Sequence, residues 1–278
     1  MNNMEQPNVL IVILNYKTYN LTIELVKEIR SRLEYSNYEI MVIDNCSPNE
    51  SADVLSSLSR DMNFLFIANK ANSGYAAGNN IGIRYAINHG FDYSWIVNND
   101  IILREENILA HMVEIGQSNK KIGCIGPKIY SLNNTICAPY VNRPSFLGLT
   151  FCIRSERKKR NRFRNTSMPV YRTHGCCMLL KNECMKEIDC LDEKTFLYGE
   201  EDILAERMLQ KSYTSYYDSE VSVVHKECSS IKATKKAKRI KIRETLKSGT
   251  IYLRDYRKFN KLQIFLCNFV RLVIIYLR

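Results

Sequence analysis

The run NVLIVILNY, Asn8 to Tyr16, restricts the fold more than any other stretch. Six apolar residues in succession leave no polar position on either face of a strand. Such a strand is buried on both sides, as in a parallel sheet covered by helices. The segment that follows supports this reading, because Leu21, Leu25, Ile29 and Leu33 recur at helical spacing. YEIMVIDN then reads as a second strand and SPNESADVLSSL as a helix opening near Ser47, Pro48 and Glu50. NFLFIAN, a helix through AAGNNIGIRYAINHG closed by Gly90, and the strand YSWIVNND complete a βαβαβαβ alternation. The expectation is a parallel sheet with helices on both faces.

Beyond KIGCIGPKIYS the alternation stops. Residues Asn133 to Arg172 hold short β-like pieces and a basic run, and read as a long excursion. GCCMLLKN resumes a buried strand, GEEDILAERMLQKS is helical, and TSYYDSEVSVVHKE is a further strand. Two basic amphipathic helices are expected to close the chain.

The expected strands share one property: their tips are polar. The first ends in Asn15–Tyr16, the second in Asp44–Asn45, the third leads into Asn69 and NSGYAAGNN, and the fourth into Asn98-Asn99-Asp100. A turn-forming Asn or Asp accounts for any one such tip. Four in succession fit a ligand site instead, because open parallel sheets bind ligands at the carboxyl ends of their strands. Asp44 is suited to accept hydrogen bonds from a nucleobase or ribose. Asp100 offers a hard oxygen ligand for Mg²⁺ or Mn²⁺ on a diphosphate. Neither GxGxxG nor GxxxxGK[ST] is present, so the usual dinucleotide and P-loop readings are unsupported.

The 278 residues carry a net charge of +11, which points to an anionic partner. Between Lys226 and Lys261 stand thirteen Lys/Arg against three acids, and the run Arg154 to Arg164 adds seven bases against one acid. No RNP, KH or helix-turn-helix pattern accompanies them, so nucleic acid is not the expected partner. The apolar stretch Leu262 to Leu277 is short for a bilayer span, at about 16 residues against the roughly 20 required. It fits an interfacial helix on anionic headgroups, or a helix packed on protein or in a homodimer. The ten cysteines show no CxxC pair and no zinc-finger spacing, and the first residues lack a signal-peptide pattern. The expected setting is reducing and cytoplasmic, peripheral to the inner face of the cell membrane.

In order along the chain, VIDNCS, NSGYAAGNN, NND after an apolar strand, GCCMLLK, FLYGEEDILAER and VVHKECSS resemble the motifs of family 2 glycosyltransferases. The similarity runs from about Val9 to Ser230 and is nearest to rhamnosyltransferase-like bacterial enzymes of surface-polysaccharide synthesis (O-antigen or capsule). The resemblance implies the GT-A fold, an α/β Rossmann-like, mostly parallel central sheet flanked by helices. Residues 1–230 would form that domain, 1–125 binding the nucleotide-sugar and 126–230 serving acceptor and catalysis, with 231–278 a basic helical extension. It further implies an inverting transfer from a UDP- or dTDP-sugar to a saccharide acceptor, in a lipid-linked form. Asn15, Tyr16 and Asp44 match positions that contact base and ribose, and Asn72, Gly74 and Asn79 belong to the NSGYAAGNN donor segment. Asn98, Asn99 and Asp100 occupy the DxD position, with Asn98 replacing the first carboxylate. Asp100 and His225 would hold a divalent metal, Mg²⁺ or Mn²⁺. Within the acidic cluster, the family pattern places an Arg seven residues after a Glu, and Arg207 stands seven after Glu200. Glu201 then falls where the catalytic Asp is expected, one methylene longer, and the base lies between Glu200 and Glu201. A GT-A-like nucleotidyltransferase is the enzyme alternative, but no Gly-rich signature follows the first strand. A non-catalytic basic membrane- or nucleic-acid-binding protein is the other.

Overall fold

The computed structural model of the chain describes residues 6–151, 161–226 and 235–276. The order is β1 (Val9–Asn15), α1 (Tyr19–Arg32), β2 (Tyr38–Asp44), α2 (Ser51–Leu58), β3 (Leu65–Ala68), α3 (Tyr75–Asn88) and β4 (Tyr93–Val97). Next come β5 (Ile101–Leu103), α4 (Ile108–Ser118), β6 (Ile122–Ser131), α5 (Phe146–Phe151), β7 (Met168–Val170), β8 (Cys177–Lys181) and α6 (Asn182–Glu187). The chain continues through α7 (Glu200–Gln210), β9 (Thr214–His225), α8 (Lys235–Ile251), a π-helical turn (Tyr252–Tyr256) and α9 (Lys261–Tyr276).

One sheet runs β3-β2-β1-β4-β8-β6-β9-β5, with β7 paired to β9. Its first four strands are parallel, as the alternation requires. Val9 to Ile13 of β1 are wholly buried, layered between the α1/α4 side and the α3/α6 side. Each such Ile, Leu or Val contributes roughly 1.5–3 kcal/mol by leaving water. Gly78 and Gly82 let α3 lie close on β1, since a β-carbon there would meet Leu14 at 2.7 Å and Val12 at 2.5 Å.

The second half departs from a purely parallel reading. β8 runs antiparallel to β4, pairing Val97 with Cys177, and β6 is antiparallel to β8. β9 is parallel to β6, and β5 is antiparallel to β9, pairing Ile101 with His225. Reversal of β8 brings its amino end, Arg172 to Cys176, to the edge where β4 ends. The same edge receives His225 at the end of β9.

Other differences have local causes. α2 begins at Ser51 rather than near Ser47. Ser47 is instead committed to the β2 tip, donating its hydroxyl to Asp44 Oδ1 at 2.6 Å. The excursion Asn133 to Arg172 contains α5 and the short β7 as well as extended chain, and residues 152–160, which take in 154–160 of its basic run, lie outside the described residues. So do residues 227–234 of the second basic block, including the end of VVHKECSS.

The C-terminal extension packs on the sheet domain. Leu253, Tyr252 and Cys267 bury against Ile203 of α7, with Phe146 and Leu149 of the excursion beside them. Tyr171 and Tyr252 share a hydroxyl hydrogen bond of 2.8 Å, and Ser248 donates to the carbonyl of Leu197 at 2.9 Å. Arg257 and Arg143 both pair with the buried carboxylate of Glu206 on α7. The outer face of α9 stays exposed at Leu262, Phe265, Leu266, Phe269 and Val273. No described helix is long and apolar enough to cross a membrane.

Candidate active site

The polar strand tips meet along the carboxyl edge and bond to one another. Asn15, fully buried, donates from Nδ2 to Asp44 Oδ1 at 2.7 Å, and its Oδ1 accepts from Thr22 at 3.0 Å. Ser47 adds its N–H to Asp44 Oδ2 at 2.9 Å, so both carboxylate oxygens are engaged. Asn99 turns toward this group and donates to the hydroxyls of Thr18 (2.8 Å) and Thr22 (2.9 Å). Tyr16 stands exposed above it with the Lys17 ammonium 4.8 Å from its ring centre.

NSGYAAGNN serves mainly as a brace. Asn45 donates to Asn72 Oδ1 at 3.0 Å and to the carbonyl of Gly74 at 3.2 Å. Gly74 has φ +99°, and a β-carbon there would stand 2.3 Å from the carbonyl oxygen of Phe196. Only glycine permits both the left-handed backbone and that approach. Asn79 is wholly buried inside α3, donating to the carbonyl of Tyr75 at 3.0 Å, rather than lying on the open edge. Asn80 pins the chain before α7 by exchanging hydrogen bonds with the backbone of Leu191, at 2.8 and 2.9 Å, and donating to Glu193. Tyr75 reaches across to donate its hydroxyl to the carbonyl of Gly175 at 2.6 Å.

Beyond β4, Asn98 donates its N–H to the carbonyl of Cys176 at 2.9 Å, tying the tip to the loop before β8. Asp100 Oδ1 lies 3.2 Å from His225 Nε2. That spacing suits two ligands on one ion with bonds of about 2.1 Å. The other ring nitrogen of His225, Nδ1, is buried without a hydrogen-bond partner among the described residues. A carboxylate beside imidazole nitrogen fits a divalent cation, and Mn²⁺ accepts such a mixed set more readily than Mg²⁺.

The acidic cluster opens α7 behind Gly199, which has φ +86°. Its three carboxyls differ in environment. Glu201 Oε1 accepts the N–H of Gly175 at 3.0 Å. Burial pushes Glu201 upward, but the charges of Arg172 and His174 and backbone hydrogen bonds outweigh it and hold the carboxyl below its ordinary value. Glu200 is buried with Oε1 unpartnered, and burial plus the Glu201 charge raise it to about 8. Asp202 pairs with Arg172 at 2.8 Å. Arg172 also lies 3.6 Å from the ring centre of Tyr140. Arg207 donates to backbone carbonyls of Ile188, Asp189 and Cys190, so it fastens a loop rather than facing the site.

Arg172 and His174 thus belong to the site, though sequence reasoning had not selected them, and so do Gly175 and Cys176, which open the motif GCCMLLK but were given no role. The signal available was the polar, glycine-containing RTHG immediately before a buried strand. The direction of that strand, which decides where RTHG lies, is fixed by pairing and not by local pattern.

Comparison with known proteins bears on the family and the fold. Residues 9–189 match glycosyl transferase family 2. A relative from Haloferax volcanii, the low-salt glycan biosynthesis hexosyltransferase Agl10, is 29% identical over 192 residues, covering 69% of this chain. The chain spans 58% of that relative's length. Among solved structures, the mannosyltransferase PcManGT from Pyrobaculum calidifontis in complex with GDP-Man and Mn²⁺ has a TM-score of 0.63 at 15% identity, covering 96% of this chain and 70% of that one. GalNAc-T7 with UDP, GalNAc and Mn²⁺ gives a TM-score of 0.62 at 13% identity over 80% of this chain and 44% of the other. At these identities the structural likeness concerns the fold, which is GT-A. The family match covers well over half of the 278 residues, and the chain belongs to glycosyl transferase family 2.

Proposed function

We propose that the chain is an inverting, metal-assisted glycosyltransferase moving a sugar from a nucleotide-diphosphate donor to a saccharide acceptor. The observation that carries this is the loop Arg172–Cys176, which ties Glu201 through the N–H of Gly175 and the Asp100 segment through the carbonyl of Cys176. A base and a metal-binding pair are thereby held on one edge, beside the Asn15–Asp44 cluster suited to a nucleoside.

Asn15, Tyr16 and Asp44 form the nucleoside end, with Asn98 and Asn99 leading to the diphosphate. Asn72, Gly74 and Asn79 shape that pocket from within. Asp100 and His225 would hold Mn²⁺ or Mg²⁺, which would neutralise charge on the leaving diphosphate. Glu201 is the base. Kept ionised, it takes the acceptor hydroxyl proton as that oxygen attacks the anomeric carbon opposite the leaving diphosphate, inverting the configuration. Such a base contributes about 10²–10⁴-fold. Glu200, held protonated, shares its helix start but not its role.

The donor is a UDP-, dTDP- or GDP-hexose or deoxyhexose, and the acceptor a lipid-linked glycan of a surface polysaccharide. The apolar outer face of α9, with Lys258 and Lys261 at its start, supports contact with an anionic membrane surface. The test is thermal stability during titration with UDP-, dTDP- and GDP-sugars, with and without Mn²⁺. A stabilisation by one nucleotide that grows with Mn²⁺ is expected, and no shift with any of them sinks the reading.

A further inference from the structure

The pair Asp100–His225 does not use all the metal-binding groups at this edge. His174, Cys176 and His225 each present a ligand atom, and these three atoms lie within 4.8 Å of one another. Donor binding as proposed above uses neither the thiol nor His174 as a ligand. Beyond the carboxyl-edge ion, we propose that His174, Cys176 and His225 form a nitrogen–sulfur site for a thiophilic divalent cation of the Zn²⁺ class.

Backbone placement favours the site. His174 and Cys176 are separated only by Gly175 at the entry to β8, and His225 ends β9, so two sheet strands hold the donors in position. The rings of His174 and His225 stand 5.6 Å apart at 72°, a crossing that lets two imidazoles converge on one ion. Cys176 is buried, and its carbonyl is fixed by the N–H of Asn98 at 2.9 Å. His174 Nδ1 accepts the N–H of Cys176 at 3.3 Å, a long contact that a metal bond can replace. The second observation is the buried, unpartnered Nδ1 of His225, a polar atom in need of a partner.

Tetrahedral zinc, with bonds of about 2.3 Å to sulfur and about 2.0–2.1 Å to nitrogen, sets its ligands roughly 3.3–3.8 Å apart. The observed spread therefore closes by about 1 Å through side-chain rotation. The fourth position falls to water, since Asp100 faces the other ring nitrogen of His225. Thiolate selects zinc-class ions over Mg²⁺. On binding, the S–H bond of Cys176 breaks, a metal–sulfur bond forms, and the proton passes to solvent. Because His225 is shared, the two ions compete. That competition rests on the reading of Asp100 and His225 as donor-metal ligands, whereas the nitrogen–sulfur site does not. A zinc-class ion would withdraw His225 from the donor-site metal and act as an inhibitor.

The experiment uses the full chain, stripped of metal and titrated with Co²⁺ in place of zinc. A thiolate-to-cobalt charge-transfer band is expected, saturating at one Co²⁺ per chain. It disappears in Cys176→Ser and in His174→Gln, and persists in Asp100→Asn and in Cys46→Ser, which removes an exposed thiol. If Cys176→Ser does not fold, His174→Gln carries the test through loss of the band. Absence of the band in the native chain, or its survival in both Cys176→Ser and His174→Gln, overturns the site. Nucleotide-dependent stabilisation with Mn²⁺ is measured on the same protein. Its presence alongside a missing band means that this inference alone has failed, not the glycosyltransferase reading.

Discussion

Glu201 Oε1 accepts the N–H of Gly175 at 3.0 Å, and a β-carbon on Gly175 would stand 2.5 Å from the same oxygen. The carboxylate fills the space that any other residue at 175 would need. Gly175→Ala therefore displaces Glu201, the proposed base, while leaving the Asn15–Asp44 cluster untouched. A misplacement near 1 Å costs roughly 10²-fold in rate. The expected result is kcat lowered by about that factor, with nucleotide-induced stabilisation retained. Unchanged kcat would show that Glu201 is not held for catalysis by this contact.

Glu200 and Glu201 are neighbours with opposite electrostatic environments, and exchange to glutamine separates them. Glu201→Gln should lower kcat by about 10²–10⁴-fold while donor binding survives. Glu200→Gln replaces a carboxyl already held neutral by burial and should keep most of the activity. Steady-state kinetics on both variants decides the assignment. Equal losses would return the base to an unresolved pair.

The same contrast sets a pH dependence of stability. Glu200 is raised from 4.5 to about 8, so between those values the folded chain holds a proton that the unfolded chain has lost. Its contribution to stability is full below about 4.5 and is lost as pH rises through about 8. Glu200→Gln removes that fall. Denaturation midpoints between pH 5 and pH 8.5 should decline less steeply in the variant, and the variant should be the more stable protein at the upper end. Parallel curves would show Glu200 to be ionised throughout.

Much of the donor half was legible because it obeys local rules. Continuous apolar strands, helical spacing and polar tips are properties of short windows, and they located Asn15, Asp44 and Asp100 on one edge. The helix start was misplaced by four residues at Ser47 because a serine before an acidic helix also suits an N-cap, whereas here its hydroxyl serves Asp44. Asn79 was expected on the ligand side because it sits in the motif, but the helical turn sends it inward. Arg172 and His174 were invisible for a different reason. Their place depends on β8 running against β4, and the pattern GCCMLLK is apolar in either direction. The extension's packing was equally hidden, since its basic composition describes a surface and not the buried Tyr252, Leu253 and Cys267 beneath it.

Asp100 supplies the carboxylate facing His225 in the turn after β4, with asparagines at the two preceding positions. Asp100→Asn should weaken Mn²⁺ by more than the roughly 10–100-fold that changes behind a metal ligand cost. Calorimetric Mn²⁺ titration in the presence of the nucleotide checks this. The fold should persist, because Asn matches Asp in size and shape. Unaltered Mn²⁺ affinity would remove Asp100 from the metal site.

Leu253 is fully buried where the π-helical turn meets Ile203 of α7, the helix that begins with Glu200 and Glu201. Leu253→Ala opens a cavity between the extension and that helix, and core truncations of this kind cost about 2–5 kcal/mol. If the extension is part of the same cooperative unit, urea unfolding followed by Trp95 fluorescence shifts as a single transition to lower midpoint. Trp95 lies in the sheet, fully buried and remote in sequence from the substitution. A separate early transition that leaves the Trp95 signal unmoved would show an extension that melts on its own. The observed packing argues against that outcome, since Glu206 of α7 is held by Arg143 from the excursion and by Arg257 from the extension at once.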